Sequence, residues 1–141
     1  MNEETKEDVV PQKKGSITLA RLTAQPTQNG LVQISQAVLP MRTAWKVKNL
    51  IEKAQKESSN FDSLRQALIE RHGARGDDKK LVRDSNGSFR IPQENVEAFN
   101  KEIVELMNIE VEIGTLSIAE LDGKVELSAN AMQLLDTLLV D

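Results

Sequence analysis

Polar and apolar positions change period several times along this chain, and each change marks an element. In SITLARL, Ile17 and Leu19 alternate with Ser16 and Thr18, the period of two that predicts a short strand. TAQPTQNG interrupts it with Pro26 and Asn29-Gly30. Leu31, Ile34, Ala37 and Val38 then recur at helical spacing and predict a short helix ended by Pro40, because the residue before proline is pushed out of the helical region. From about Met41 to Arg71, Val47, Leu50, Ala54, Phe61, Leu64 and Leu68 fall at steps of three and four with an interruption at Glu57 and Ser58, which predicts a long helix with a narrow apolar seam.

That seam wants a partner. From Pro92 to about Met107, Val96, Phe99, Ile103 and Leu106 repeat the spacing, and Pro92 suits a first helical turn. The two are expected to lie antiparallel as a helical hairpin, with basic side chains of one near Glu94, Glu97, Glu102 and Glu105 of the other. Ile109, Val111 and Ile113 alternate with Glu110, Glu112 and Gly114, a strand with one wet face. Ser117-x-x-Glu120 has capping-box spacing, but Gly123 stops anything longer than a turn or two. Val125 and Leu127 are read as a short strand. Ser128 then caps a final helix with Met132, Leu134, Leu135, Leu138 and Leu139 on one face. No internal repeat is visible.

Between the two long helices lies KKLVRDSNGSFRIPQENVEAF. A helix–loop–helix calcium site needs oxygen ligands at fixed offsets and glycine at position 6. Counting from Asp84, Gly87 arrives at 4 and Asn95 stands at 12, so the match fails. Asn86-Gly87 is instead a hairpin dipeptide, suited to a type I′ turn that needs positive φ at both central residues. Leu81–Arg83 and Ser88–Ile91 supply the arms of a small β-ribbon, which must lean on the end of the helical hairpin or on a partner because two strands alone are marginal in water.

The chain of 141 residues, 39% hydrophobic, suits one core. We expect a flexible charged tail over 1–14 and a single α+β domain over 15–141: a long antiparallel helical hairpin with a β-ribbon at its tip, a small sheet and a C-terminal helix. There is no Cys, which removes disulfides and thiolate chemistry. Neither a signal-like N-terminus nor an apolar run near the roughly 18 residues of a membrane span is present, so the expectation is a cytoplasmic protein with no membrane partner.

Charge redraws part of the picture. The net charge is -4, yet residues 42–90 hold 12 Lys/Arg against 7 Asp/Glu, a balance of +5, while 91–141 hold 2 against 11, a balance of -9. Two packed segments of opposite charge explain this as well as a nucleic-acid surface would. Aromatics number only Trp45, Phe61, Phe89 and Phe99, too few for a single-strand stacking platform. A nucleic-acid partner is therefore disfavoured, although Arg42, Lys46, Lys53 and Lys56 gather near one side of the long helix.

Candidate chemistry is sparse. His72 is the sole histidine, which excludes multi-histidine metal sites, and beside Gly73 it is read as a cation at the helix C-terminus. No nucleophile elbow, phosphate loop or dinucleotide turn occurs. Asp77-Asp78 lies in a loop where solvent keeps both carboxylates ionised. We therefore expect no catalytic residues, no metal site and no cofactor.

What remains is binding. Arg83, Phe89 and Arg90 on the ribbon form one candidate partner-binding set, beside the plainer reading in which Phe89 and Ile91 cap the helix pair. Trp45 is the other candidate. It lies off the main seam with Met41 and Lys48, and the expectation is that its ring seals the N-terminal strand and short helix against the long helix; the other reading is an interface anchor.

VLPMRTAWKVKNLIEKAQKE resembles the Leu-Pro, small-aromatic-basic helix entry of a group of small proteins of unknown function encoded by tailed bacteriophages. IPQENVEAFNKEIVELMNIEVEI and LSIAELDGKVELSANAMQLLDTLL are similar to later segments of that group, in the same order, so the resemblance spans roughly Val38 to Leu139. The charged N-terminal tail is longer here. The resemblance implies a phage or prophage origin, a location in the host cytoplasm or the virion, and a non-enzymatic role with a protein partner, either a virion component or a host factor. It brings no functional residues with it, and a homo-oligomer stays open.

Overall fold

The computed structural model describes residues 13–141; the tail expected over 1–14 lies, up to residue 12, outside them. Among the described residues helix accounts for 59% and strand for 11%, consistent with the α+β class. The described residues divide into two compact units, one of residues 13–58 with Asn108–Asp141 and one of Ser59–Met107. Helix α3, Met41–His72, contributes to both.

The first unit is built on two short sheets. Strand β1, Ser16–Thr18, pairs antiparallel with β2, Glu110–Glu112, in the register Ile17↔Val111. All three β1 residues are buried, the polar Ser16 and Thr18 as well as Ile17. Their surroundings are polar: the Thr137 hydroxyl donates to Ser16 O, and the Gly15 amide donates to Thr137 O at 2.8 Å. Lys13 and Lys14 are held here too, Lys13 by Glu112 at 2.9 Å and Lys14 by Asp136 O at 3.4 Å.

Strand β3, Leu116–Ser117, pairs in parallel with β4, Leu139–Val140. Val125 and Leu127 form no strand, contrary to expectation. The chain's last sheet partner comes instead from the segment expected to complete the final helix. That helix, α6, covers only Ala129–Leu134. A 3-10 turn over Asp136–Leu138 then feeds β4, and so Leu135, Leu138 and Leu139 are buried along three different backbone conformations. The expected cap is present: the Ala131 amide donates to Ser128 Oγ at 3.0 Å.

After the single turn α1, Leu19–Leu22, helix α2 spans Gln25–Gln36 and runs through the stretch expected to break it. Pro26 sits in the first turn, where its missing N–H costs nothing. Gly30 serves packing and not a turn, since a Cβ there would lie 3.3 Å from Leu135 Cδ1 and 3.4 Å from Ala131 Cβ. Ile17, Leu22, Ile34, Leu50, Ile113 and Leu138, each at most 2% exposed, make the centre of this core.

In the second unit, α3 from Ser59 onward buries Phe61 and Ile69, while Leu64 is 50% exposed and yields its expected place on the seam. Helix α4, Gln93–Met107, buries Leu106. Where α3 ends, the Asn95 side-chain amide donates to the His72 carbonyl at 3.0 Å and so satisfies a group that no further helical turn can reach.

Between these helices the backbone repeats itself every eight residues. The Gly76 amide donates to Lys80 O and the Asp84 amide to Ser88 O; Lys79 donates to Gly76 O and Gly87 to Asp84 O. Lys80 N–H reaches Asp78 Oδ1 just as Ser88 N–H reaches Asn86 Oδ1. The bridges Arg75↔Leu81 and Arg83↔Phe89 are likewise eight apart. The two loops close in a ring, with Ala74 N–H on Arg90 O, Arg90 N–H on Val82 O and Val82 N–H on Ala74 O, at 2.8–2.9 Å. Each arm pair makes one isolated bridge and no longer ladder. The turn is also not type I′: Gly87 has φ 86° and Asn86 does not have positive φ, the pattern of a tight turn closed by one left-handed residue. In the first loop Lys79 takes that place, at φ 65°.

Candidate functional site

Trp45 departs most from expectation. It is 61% exposed, with Met41 at 88% and Val38 at 91%, so the ring does not seal the core. Helical geometry gives the reason. The covered line of α3 in the first unit runs through Thr43, Val47, Leu50 and Ala54. Trp45 lies two residues from both Thr43 and Val47, roughly 200° around the axis from each, and so faces away from that line. Met41, four residues earlier, shares its side.

Thr43 carried no apolar signal, yet it is 1% exposed. Its hydroxyl donates to Glu120 Oε2 at 2.7 Å, tying α3 to the turn α5, Ile118–Leu121. Glu120 therefore does not complete a capping box, and Ser117, at the N-cap position, makes no side-chain cap bond.

Around Trp45 the surface is basic and apolar. The Lys48 ammonium lies 5.1 Å from the ring centroid and 3.2 Å from Glu52. A cation over an exposed ring contributes about 0.5–1 kcal/mol and holds the indole in one orientation. The Lys48 stem also lines a groove of about 210 Å³ between the end of α2 and α3, with Ile34, Leu39, Val47 and Ile51. An exposed aromatic beside an apolar groove, with the Lys48–Glu52 pair at its edge, is suited to contact with a macromolecule. Ser35 and Glu52 also line the groove.

The other candidates lie in the second unit. The Arg83 guanidinium carbon sits 4.0 Å from the Phe89 ring centroid, and Nη1 donates to Gly87 O at 2.8 Å. Arg83 and Phe89 are thus brought together and engage each other. The Arg90 backbone closes the ring of loops while the residue is exposed. Arg75 repeats the role of Arg83, donating to Lys79 O at 3.0 Å, and sequence reading missed it because only the arginines are identical between the two octets.

His72 does not bond the carbonyls of its own helix. Nε2 lies 2.7 Å from Glu102 Oε2, and the ring meets Phe99 edge-on at 6.0 Å. Hydrogen bonding from His72 holds the Glu102 carboxyl below the ordinary value, with Arg71 at 3.2 Å adding to the effect against partial desolvation. A hydrogen bond from Lys13, its charge and that of Lys53 lower Glu112 in the same direction. Asp77 and Asp78 are exposed, as their loop suggested.

Among the described residues no group of three or more His, Cys, Asp or Glu is placed to hold a metal ion, and no helix is long and apolar enough to cross a membrane. No family model, curated protein or solved structure matches the chain.

Proposed function

We propose that this protein acts by binding another protein without turnover, as an assembly or accessory component of a phage particle. The observation that carries the reading is the outward pair Met41 and Trp45, each more than 60% exposed, on the opposite side of α3 from its buried line, with Val38, 91% exposed, in the segment just before the helix. Tryptophan is enriched among the few residues that dominate binding energy, and apolar groups this exposed gain most from being covered. The resemblance of Val38–Leu139 to small phage proteins supplies the setting. A host protein bound for inhibition would use the same face.

The finer architecture belongs to the proposal as well. We read the second half of α3 and α4 as an antiparallel helical hairpin with the paired loops at its tip; the His72–Glu102, Arg71–Glu102 and Asn95–His72 contacts support it. Arg83, Phe89 and Arg90 then serve chiefly to hold that tip.

Affinity capture from phage-producing cells, compared across variants, tests the function. Trp45→Ala is expected to lose a partner that wild type retains, with an unchanged melting temperature, while Phe89→Ala with Arg90→Ala keeps it. Retention by Trp45→Ala and loss by the loop variant would move the site to the loops. One further observation favours a second reading: Arg42, Lys46, Lys53 and Lys56 are all exposed on α3. A nucleic-acid partner predicts a gel shift that weakens steeply between two salt concentrations.

A further inference from the structure

The first unit carries a second apolar surface of opposite charge. A groove of about 380 Å³ is lined by Ile118, Leu121, Val125, Met132 and Leu139, with the exposed carboxylates Asp122 and Glu126 at its wall. Ile118 is 40% and Met132 45% exposed. The volume falls within the range of about 300–1,000 Å³ typical of sites that enclose a compact apolar group. Trp45 is the converse: a protruding ring with cations on both flanks, Arg42 three residues before it and Lys48 three after, each about 60° around the helix.

These two surfaces cannot meet within one molecule. Thr43 bonds Glu120 in α5, the element that supplies Ile118, Leu121 and the start of the Asp122 loop to the groove. Trp45 lies roughly 160° away around α3 from Thr43 by the shorter arc, and so points away from the groove. We infer that the occupant of the acidic groove is the Trp45 knob of a second copy of this chain, in a head-to-tail contact. Such a contact is heterologous: each copy offers one knob and one groove, and repetition gives a ring or an open filament and not a two-fold dimer. Charge complementarity selects the pairing, because Arg42, with Lys48 already shared with Glu52, arrives beside Asp122 and Glu126, whereas two knobs face to face would bring the two Arg42 side chains together.

The inference rests on the reading of Met41 and Trp45 as a binding face and names one partner for it. Sedimentation velocity on the purified chain over a range of concentrations tests it. Wild type is expected to form species beyond the dimer as concentration rises, more readily at low salt. Trp45→Ala and Met132→Glu are each expected to weaken association by about tenfold or more.

The decisive measurement mixes those two variants. Trp45→Ala keeps its groove and Met132→Glu keeps its knob, so together they should form a capped 1:1 dimer and nothing larger. Should Met132→Glu fold poorly, the exposed change Glu126→Lys takes its place, and Arg42→Glu on the other chain should restore its contact. A wild type that stays monomeric, or a mixture that stays dissociated, overturns the inference; so does association lost in Trp45→Ala but kept in both groove variants, which is the mark of a symmetric knob-to-knob dimer. If self-association fails while Trp45→Ala still loses its captured partner, only this inference falls and the binding face stands.

Discussion

Replacing Thr43 by Val tests the polar tie between α3 and α5. The two side chains have similar shapes, so the change opens little cavity and removes one donor that stands 2.7 Å from Glu120 Oε2. A hydrogen bond to a charged acceptor contributes about 1.5–3 kcal/mol. Glu120 is partly exposed and water recovers some of the loss, so the expected cost is near the lower end, about 1.5 kcal/mol. For a chain of this length that corresponds to a fall of about 6 °C in melting temperature, taking about 4 °C per kcal/mol. Far-UV circular dichroism through a denaturant titration is the suitable assay, because the exposed Trp45 reports poorly on burial. A double-mutant cycle with Glu120→Ala should give a coupling of about 1 kcal/mol or more. The corresponding cycle of Ser117→Ala with Glu120→Ala should give less than about 0.3 kcal/mol, since Ser117 makes no cap bond. Coupling in the second cycle and none in the first would refute the assignment and restore Glu120 to a capping role.

Acid should weaken the second unit through Glu102. Its pKa is lowered in the folded chain, so its contribution is fully present above the ordinary carboxylate value of 4.5 and is lost as pH falls through the depressed value. Glu102→Gln should therefore show a flatter decline in denaturation midpoint below pH 4.5 than wild type, and equal slopes would refute this. Gly30→Val should destabilise the packing of α2 on α6 by roughly 1–3 kcal/mol in chemical denaturation, because even its first carbon meets Leu135 and Ala131 at 3.3–3.4 Å. Trp45→Ala should stay within about 0.5 kcal/mol of wild type, whereas Leu50→Ala, at a site 2% exposed, should cost about 2–5 kcal/mol.

Local signals made the long elements legible. The bounds of α3 and α4 follow from side-chain period with Pro40, Gly73 and Pro92 as stops, and the Ser128 cap and the β1 and β2 segments follow from equally short-range preferences. Trp45 could be singled out from composition and its offset from the seam. These features are readable because a helical period, a cap or an alternation involves residues a few positions apart.

What the tertiary structure decided involves partners far apart in the chain. Periodicity states that Trp45 lies off the seam, but which arc of a helix is covered depends on what packs against it, and here the cover falls on the side of Thr43. The Thr43–Glu120 bond spans 77 positions and the Thr137–Ser16 bond 121, and neither leaves a trace in local pattern. Leu139 and Val140 left the final helix for a strand because Leu116 and Ser117 offered backbone partners there. The paired octets stayed hidden for a different reason: their repeat lies in main-chain hydrogen bonds, which nearly any side chain permits, with only the arginine kept between them.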